Sequence, residues 1–168
     1  PREVRDGIIY IGIGLLLAWL IITFVGVRPV VDGRSMEPTL RDGNNLIVDK
    51  LSYRFRDPKR YEIIVFPYKY EENTYYIKRI IGLPGETVQV KDGEVYIDGE
   101  LLGEDYGAEP MEDAGIAAEP IQLGDDEYFV LGDNRNHSSD SRDASVGVLK
   151  REDLIGRAWI RIYPFDEM

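Results

Sequence analysis

The sequence predicts a mostly β protein: an antiparallel β-sheet core with a small inserted β-hairpin region, preceded by one transmembrane helix. Three observations carry this. An uncharged apolar run fills residues 8–27. Beyond residue 30 the chain breaks into short segments rich in Val, Ile, Tyr and Phe, bounded by Gly, Pro, Asp or Asn, which is the signature of strands. No second stretch of helical period follows the first.

The apolar run reads IIYIGIGLLLAWLIITFVGV. At a rise of about 1.5 Å per residue it is long enough for a ~30 Å hydrocarbon core. A cleaved signal peptide would have a shorter apolar stretch and a small-residue cleavage site. This run instead leads into "FVGVRPVV" without an A-x-A sequence, so a retained anchor is expected. Arg2 and Arg5, offset by Glu3 and Asp6, precede it, while Arg28 and Arg34 follow, so the positive-inside rule does not decide orientation. The first residue is Pro1, from which upstream residues are expected to have been removed.

Six segments are expected as strands: "NLIVDKLSY", "YEIIVFPY", "TYYIKRIIG", "ETVQVKDGEVYIDGELL", "DEYFVLG" and "RAWIRIYP". Within the fourth, Asp92-Gly93 sits between two alternating runs, a strong two-residue hairpin signal, and Asp98-Gly99 repeats it. The expected division is an anchor at 1–29, a β core from 30–83 and 128–168, and an inserted hairpin with an acidic linker at 84–127. Residues 104–127, rich in Gly, Pro and carboxylates, read as an exposed connection with little to bury.

Composition narrows the partners. The net charge is −11, and no basic cluster is dense enough to follow a phosphate backbone, so no nucleic-acid partner is expected. The ten carboxylates between residues 100 and 127 read as a solvated face rather than a cation site. With no cysteine, neither a disulfide framework nor a thiolate zinc site is available. A calcium loop starting at Asp133 fails because its third and fifth positions are Arg135 and His137, and its sixth is not glycine.

The stretch "DGRSMEPTL" places Ser35 shortly after the apolar run. A serine hydroxyl becomes a nucleophile at neutral pH only with a base to take its proton. The two-residue period of "TYYIKRII" puts Tyr76, Lys78 and Ile80 on one face and Ile77, Arg79 and Ile81 on the other. Making a lysine neutral at pH 7 costs about 4.6 kcal/mol from its reference pKa of ~10.4, and burial supplies shifts of that order. Lys78 is therefore a candidate general base, against the alternative that its stem lies on the apolar face and its ammonium in water. The single histidine offers a rival: "GDNRNHSSDSR" allows a Ser35–His137–Asp140 triad to be written.

Three pieces, "GRSMEPTL" after a membrane helix, "YYIKRIIGLPGETV" on a strand and "YFVLGDNRNHSSDSR" before the final strands, together resemble the bacterial type I signal peptidases, nearest their single-anchor Gram-positive form. The resemblance covers nearly the whole chain. It implies a membrane-bound serine endopeptidase that releases exported pre-proteins from their signal peptides through an acyl-enzyme, without metal or cofactor. Ser35 would be the nucleophile and Lys78 the base, with Ser138 orienting the lysine amine. Asp140, Arg142 and Arg79 fall on charged positions that brace the catalytic strands, and Gly132, Asp133 and Asn134 on a structural loop opening. The oxyanion would be held by the Ser35 N–H. Where some members place a serine hydroxyl two residues earlier, this chain has Gly33. Val31 and Ile77 would line shallow pockets for small residues at the −1 and −3 positions of the substrate. The domain would sit on the extracytoplasmic side of the cytoplasmic membrane, its partners being the lipid bilayer and signal peptides. Two other readings remain at this point: a self-cleaving repressor-type protease with a Ser/Lys dyad, and a non-enzymatic β module that binds through its acidic insertion.

Overall fold

Both Asp-Gly pairs turn the chain as their chemistry demands. Asp92 and Gly93 have φ of 53° and 80°, and Asp98 and Gly99 have φ of 52° and 83°. Positive φ at both central residues gives a tight turn whose twist matches the flanking strands. The computed structural model describes residues 2–25, 30–107 and 109–163. After helix α1 (Arg2–Val25) come β1 (Asn45–Asp49), β2 (Ile63–Pro67), β3 (Tyr75–Gly82), β4 (Thr87–Lys91), β5 (Glu94–Ile97) and β6 (Glu100–Leu101). The remaining strands are β7 (Ile121–Gln122), β8 (Glu127–Leu131), β9 (Leu149–Lys150) and β10 (Gly156–Tyr163). All six expected segments form strands; the two-residue β7 and β9 are too short to leave a periodic trace.

Two sheets result, one in the order β1-β10-β2-β3-β8-β9, the other β6-β5-β4-β7, and every strand pair is antiparallel. In the larger sheet β3 is central. It pairs with β2 from Tyr75 to Arg79, but with β8 only from Arg79 onward. One edge of β3 therefore lacks a strand partner over residues 75–78, among the described residues.

The apolar core is divided. Val31, Met36, Leu40, Leu46, Val48, Val65 and Ile77 pack together. Ile64, Phe66, Ile80, Tyr128, Val130, Val146 and Leu149 form a second cluster. The third joins Ile81, Phe129 and Leu131 of the larger sheet to Val88, Val90 and Val95 of the smaller one.

That third cluster corrects the expectation for residues 104–127. Met111, Ala117 and Leu123 are buried in it. The Glu104 carboxylate is buried against Arg135, 2.7 Å away, and the Tyr106 ring lies 3.8 Å from the Arg79 guanidinium. The carboxylates at 105, 109, 112, 113, 119, 125 and 126 are exposed, as a solvated face requires. The segment thus alternates single buried anchors with a hydrated acidic surface. Isolated anchors have no period, so composition alone dominated the expectation.

Helix α1 presents exposed apolar side chains, among them Ile8, Ile11, Leu15 and Trp19. Among the described residues no helix is long and apolar enough to cross a membrane. Residues 26–27 of the expected span lie outside the described residues.

Candidate active site

Ser35 sits on a turn that is built from both ends. Its base is apolar: Met36 and Leu40 are 1% and 6% exposed and pack under the turn with Val31 and Ile77. Its rim is polar: the Leu40 N–H donates to Met36 O, and the Glu37 N–H donates to Arg34 O. The Val31 N–H donates to Asn44 O and the Gly43 N–H to Val31 O, which closes residues 31–44 into a loop. Ser35 Oγ is left facing β3.

Lys78 approaches from that strand. Its Nζ lies 2.9 Å from Ser35 Oγ and 3.1 Å from the Ile77 carbonyl oxygen. The residue is 4% exposed, so the alternative with its ammonium in water does not hold. Burial pulls the Lys78 pKa down to about 8, although Asp140 and Asp133 act in the opposite sense. The Tyr76 ring, 5.0 Å from Nζ, also favours the charged form. Desolvation outweighs these influences. At pH 7 about one amine in ten is then neutral.

The two carboxylates that act on Lys78 are each paired with an arginine. Asp133 receives Arg79 Nε at 2.8 Å and Nη2 at 2.6 Å. Asp140 receives Arg142 Nε and Nη2, each at 2.9 Å, and also the Gly132 N–H at 3.0 Å. Both pairs are buried and bidentate, the arrangement in which arginine holds a carboxylate most firmly. These pairs fasten β3 to residues 132–142 and close that loop on itself.

Ser138 and Gly132 stand beside the nucleophile. A Cβ on Gly132 would collide with both Ser138 Oγ and Ser35 O, so only glycine permits this approach. Ser138 Oγ is buried and makes no hydrogen bond among the described residues. Gly33 has φ of 91°, and its N–H donates to Asp42 Oδ1 at 2.9 Å. That amide is occupied. The Ser35 N–H makes no hydrogen bond among the described residues.

A cleft of about 550 Å³ opens at this point, lined by Val31, Gly33, Ser35, Ile77, Lys78 and His137 among others. The nine candidates of the sequence reading converge around it: Ser35, Lys78, Gly33, Val31 and Ile77 at its surface, with Ser138, Arg79, Asp140 and Arg142 in or against the loop behind. His137 does not form the rival triad. It is exposed, its Nδ1 lies 3.2 Å from Asn134 Oδ1, and Asp140 is held by Arg142 instead. Glu104, Tyr106 and the pairing role of Asp133 were not foreseen. A buried arginine beside the candidate base could have prompted a search for its carboxylate.

A serine hydroxyl in contact with a buried lysine amine at the head of a cleft is an arrangement in which the amine can take the hydroxyl's proton. The comparisons give the family. The family described as signal peptidase, peptidase S26, matches residues 4–163. A probable signal peptidase I-2 from Synechocystis sp. is 46% identical over 156 residues, covering 89% of this chain and 69% of that protein. A signal peptidase I from Bacillus amyloliquefaciens is 39% identical over 163 residues, covering 93% and 86%. The crystal structure of a signal peptidase I from Enterococcus faecalis V583 is similar with a TM-score of 0.51 and 34% identity, over 61% of this chain and 97% of that one. The chain belongs to the signal peptidase family, and it is a serine endopeptidase. The non-enzymatic module is thereby set aside.

Proposed function

We propose that the protein is a membrane-anchored endopeptidase that cleaves signal peptides from exported pre-proteins, using Ser35 as nucleophile and Lys78 as general base. The observation that carries this is the 2.9 Å contact between Ser35 Oγ and a lysine amine buried to 4% exposure. Neutral Lys78 takes the Ser35 proton as Oγ attacks the scissile carbonyl, and the Ser35 N–H faces the developing oxyanion. The leaving amine receives the proton from Lys78. That amine is the N-terminus of the mature chain, which departs at this step; a water that Lys78 deprotonates then hydrolyses the acyl-enzyme, which frees the signal peptide and restores the hydroxyl. Every proton in this cycle moves between groups of the chain, the substrate and water.

Ser138 is the residue we assign to orient the amine, because its buried Oγ has hydrogen-bonding capacity that no other described group uses. Arg79, Asp140 and Arg142 brace the strand and the loop. The unpaired edge of β3 at residues 75–78 suits an extended substrate added as a further strand. Val31 and Ile77 then floor the positions for side chains at −1 and −3. Both are already packed, so the space left favours small groups such as alanine.

The anchor is the apolar run at 8–27, with the catalytic domain facing the extracytoplasmic side. The described apolar side chains of helix α1, such as Ile8, Ile11 and Leu15, are exposed, which favours lipid as their partner. A substrate whose own apolar segment shares the bilayer meets the site at raised effective concentration. We take 30–83 and 128–168 as the catalytic core and 84–127 as its insertion.

The test is cleavage of a pre-protein bearing an A-x-A site by wild type, Ser35→Ala and Lys78→Met. Cut product from wild type alone is expected. Normal turnover in either variant removes the dyad, and self-cleavage with no action on the pre-protein favours the repressor-type reading.

A further inference from the structure

The sharpest unexplained contacts at the site belong to Asn134. Its backbone N–H donates to Ser35 O at 3.0 Å, and its side-chain Nδ2 donates to Arg34 O at 3.1 Å. Arg34 O belongs to the peptide unit whose N–H is that of Ser35, and this peptide is trans. In a trans peptide the C=O and N–H point in opposite directions. The Arg34 oxygen, held by Asn134 Nδ2 from outside the turn and by the Glu37 N–H within it, therefore sends the Ser35 N–H away from Asn134, on the opposite side of the turn. No described group accepts from that N–H, and the Gly33 N–H is held by Asp42.

The orientation of the Asn134 carboxamide is itself determined. A carbonyl oxygen can only accept, so the group facing Arg34 O must be the NH2, which leaves Oδ1 toward His137. Oδ1 also only accepts. His137 Nδ1, 3.2 Å away, must then carry a proton. The chain of bonds runs from the His137 N–H to Asn134 Oδ1, and from Asn134 Nδ2–H to Arg34 O.

We infer that Asn134 is a positioning residue that aims the Ser35 N–H at the oxyanion, and that His137 keeps the Asn134 carboxamide the right way round. This rests on the Ser35/Lys78 reading and adds to it. It gives the lone histidine a place in the site other than general base. Loss of a whole oxyanion donor lowers kcat on the order of 10²- to 10³-fold, so a donor left in place but no longer aimed should cost roughly tenfold to a hundredfold.

The experiment uses the full chain with a signal-peptide substrate, a peptide aldehyde that adds Ser35 Oγ to form a tetrahedral adduct, and a non-cleavable peptide of the same sequence. Asn134→Ala is expected to lower kcat by roughly ten- to a hundredfold with KM nearly unchanged, and to weaken the aldehyde by the same factor. The non-cleavable peptide should bind as to wild type, and the midpoint of the pH–rate profile should stay in place. Asn134→Asp, which offers Arg34 O no N–H, should lose at least as much. His137→Leu should lose less, about two- to fivefold, with the aldehyde weakened in step. Wild-type aldehyde affinity in Asn134→Ala overturns the inference, as does a shifted pH midpoint or an equal loss of the non-cleavable peptide. If Asn134→Ala does not fold, His137→Leu decides: unchanged aldehyde affinity there overturns it. Turnover by Ser35→Ala or Lys78→Met would instead sink the dyad, so the two failures are distinguishable.

Discussion

Lys78 and Arg79 are neighbours on β3, 4% and 5% exposed, yet they meet opposite electrostatic fates. Arg79 points into a prepared site. Asp133 grips it with two oxygens, the Tyr61 carbonyl accepts from Nη1 at 2.8 Å, and the Tyr106 ring covers its face. Lys78 points to a hydroxyl and a carbonyl, with no carboxylate in contact among the described residues. A guanidinium stays charged in proteins, so its burial demands a counter-ion. An ammonium can escape the same penalty by losing its proton, and burial brings Lys78 to about 8. The comparison teaches that chemistry at this site comes from withholding a counter-ion from one cation while supplying it to the next.

The largest effects should come from the uncompensated side. Ser35→Ala and Lys78→Met should each lower kcat/KM on the order of 10⁴-fold or more, and Lys78→Arg should match them because it cannot give up its proton. Single-turnover cleavage would check this, and a modest loss in Lys78→Arg would break the contrast with Arg79.

The compensated side should fail through stability instead. Asp133→Ala leaves the Arg79 guanidinium buried without its carboxylate and should cost about 3–5 kcal/mol in chemical denaturation. A loss below about 1 kcal/mol, the range of exposed pairs, would show that the pair is not held dry.

Titration separates the two cations further. The rate should climb with pH through an ionisation near 8 rather than near a histidine value. The sign for stability follows from the same shift. The folded pKa lies below the free lysine value of 10.5, so between about 8 and 10.5 the unfolded chain binds a proton that the native one has released. Wild-type stability should rise with pH through that window. Below it the native state carries the full cost of a buried ammonium, so Lys78→Met should be more stable at pH 7 by an amount on the order of 3 kcal/mol. Equal stabilities for the two proteins from pH 6 to pH 11 would contradict this.

The smallest effect belongs to the insertion. Tyr106→Leu removes the ring over Arg79 but keeps an apolar cover, and should cost about 1 kcal/mol in thermal unfolding while leaving Lys78's profile in place. A moved profile would mean that the two cations are coupled.

Legibility differed between these parts for a physical reason. The strands and both hairpin turns were readable because period and turn chemistry are local properties, whereas Ser35 and Lys78 stood out as candidates through the resemblance of their motifs rather than through period alone. The bracing network was readable only as residue types. That Arg79 takes Asp133 and Arg142 takes Asp140, rather than either taking one of the many carboxylates of 100–127, follows from the order of strands β3 and β8 and the loop after them. The acidic segment was misjudged because its mean composition hid Met111, Ala117 and Leu123.

By itself the sequence determined which residues are candidates for chemistry here and how the chain turns between strands, since backbone and side-chain preferences act over a few positions. Only the tertiary structure decided which charges are paired, that His137 faces Asn134 rather than Asp140, and that the Ser35 amide is left without a partner among the described residues. The contacts of Lys78 with Ser35, Arg79 with Asp133 and Asn134 with Arg34 join groups 43 to 100 positions apart, where each contact is settled by topology and by the cost of leaving a polar group unpaired.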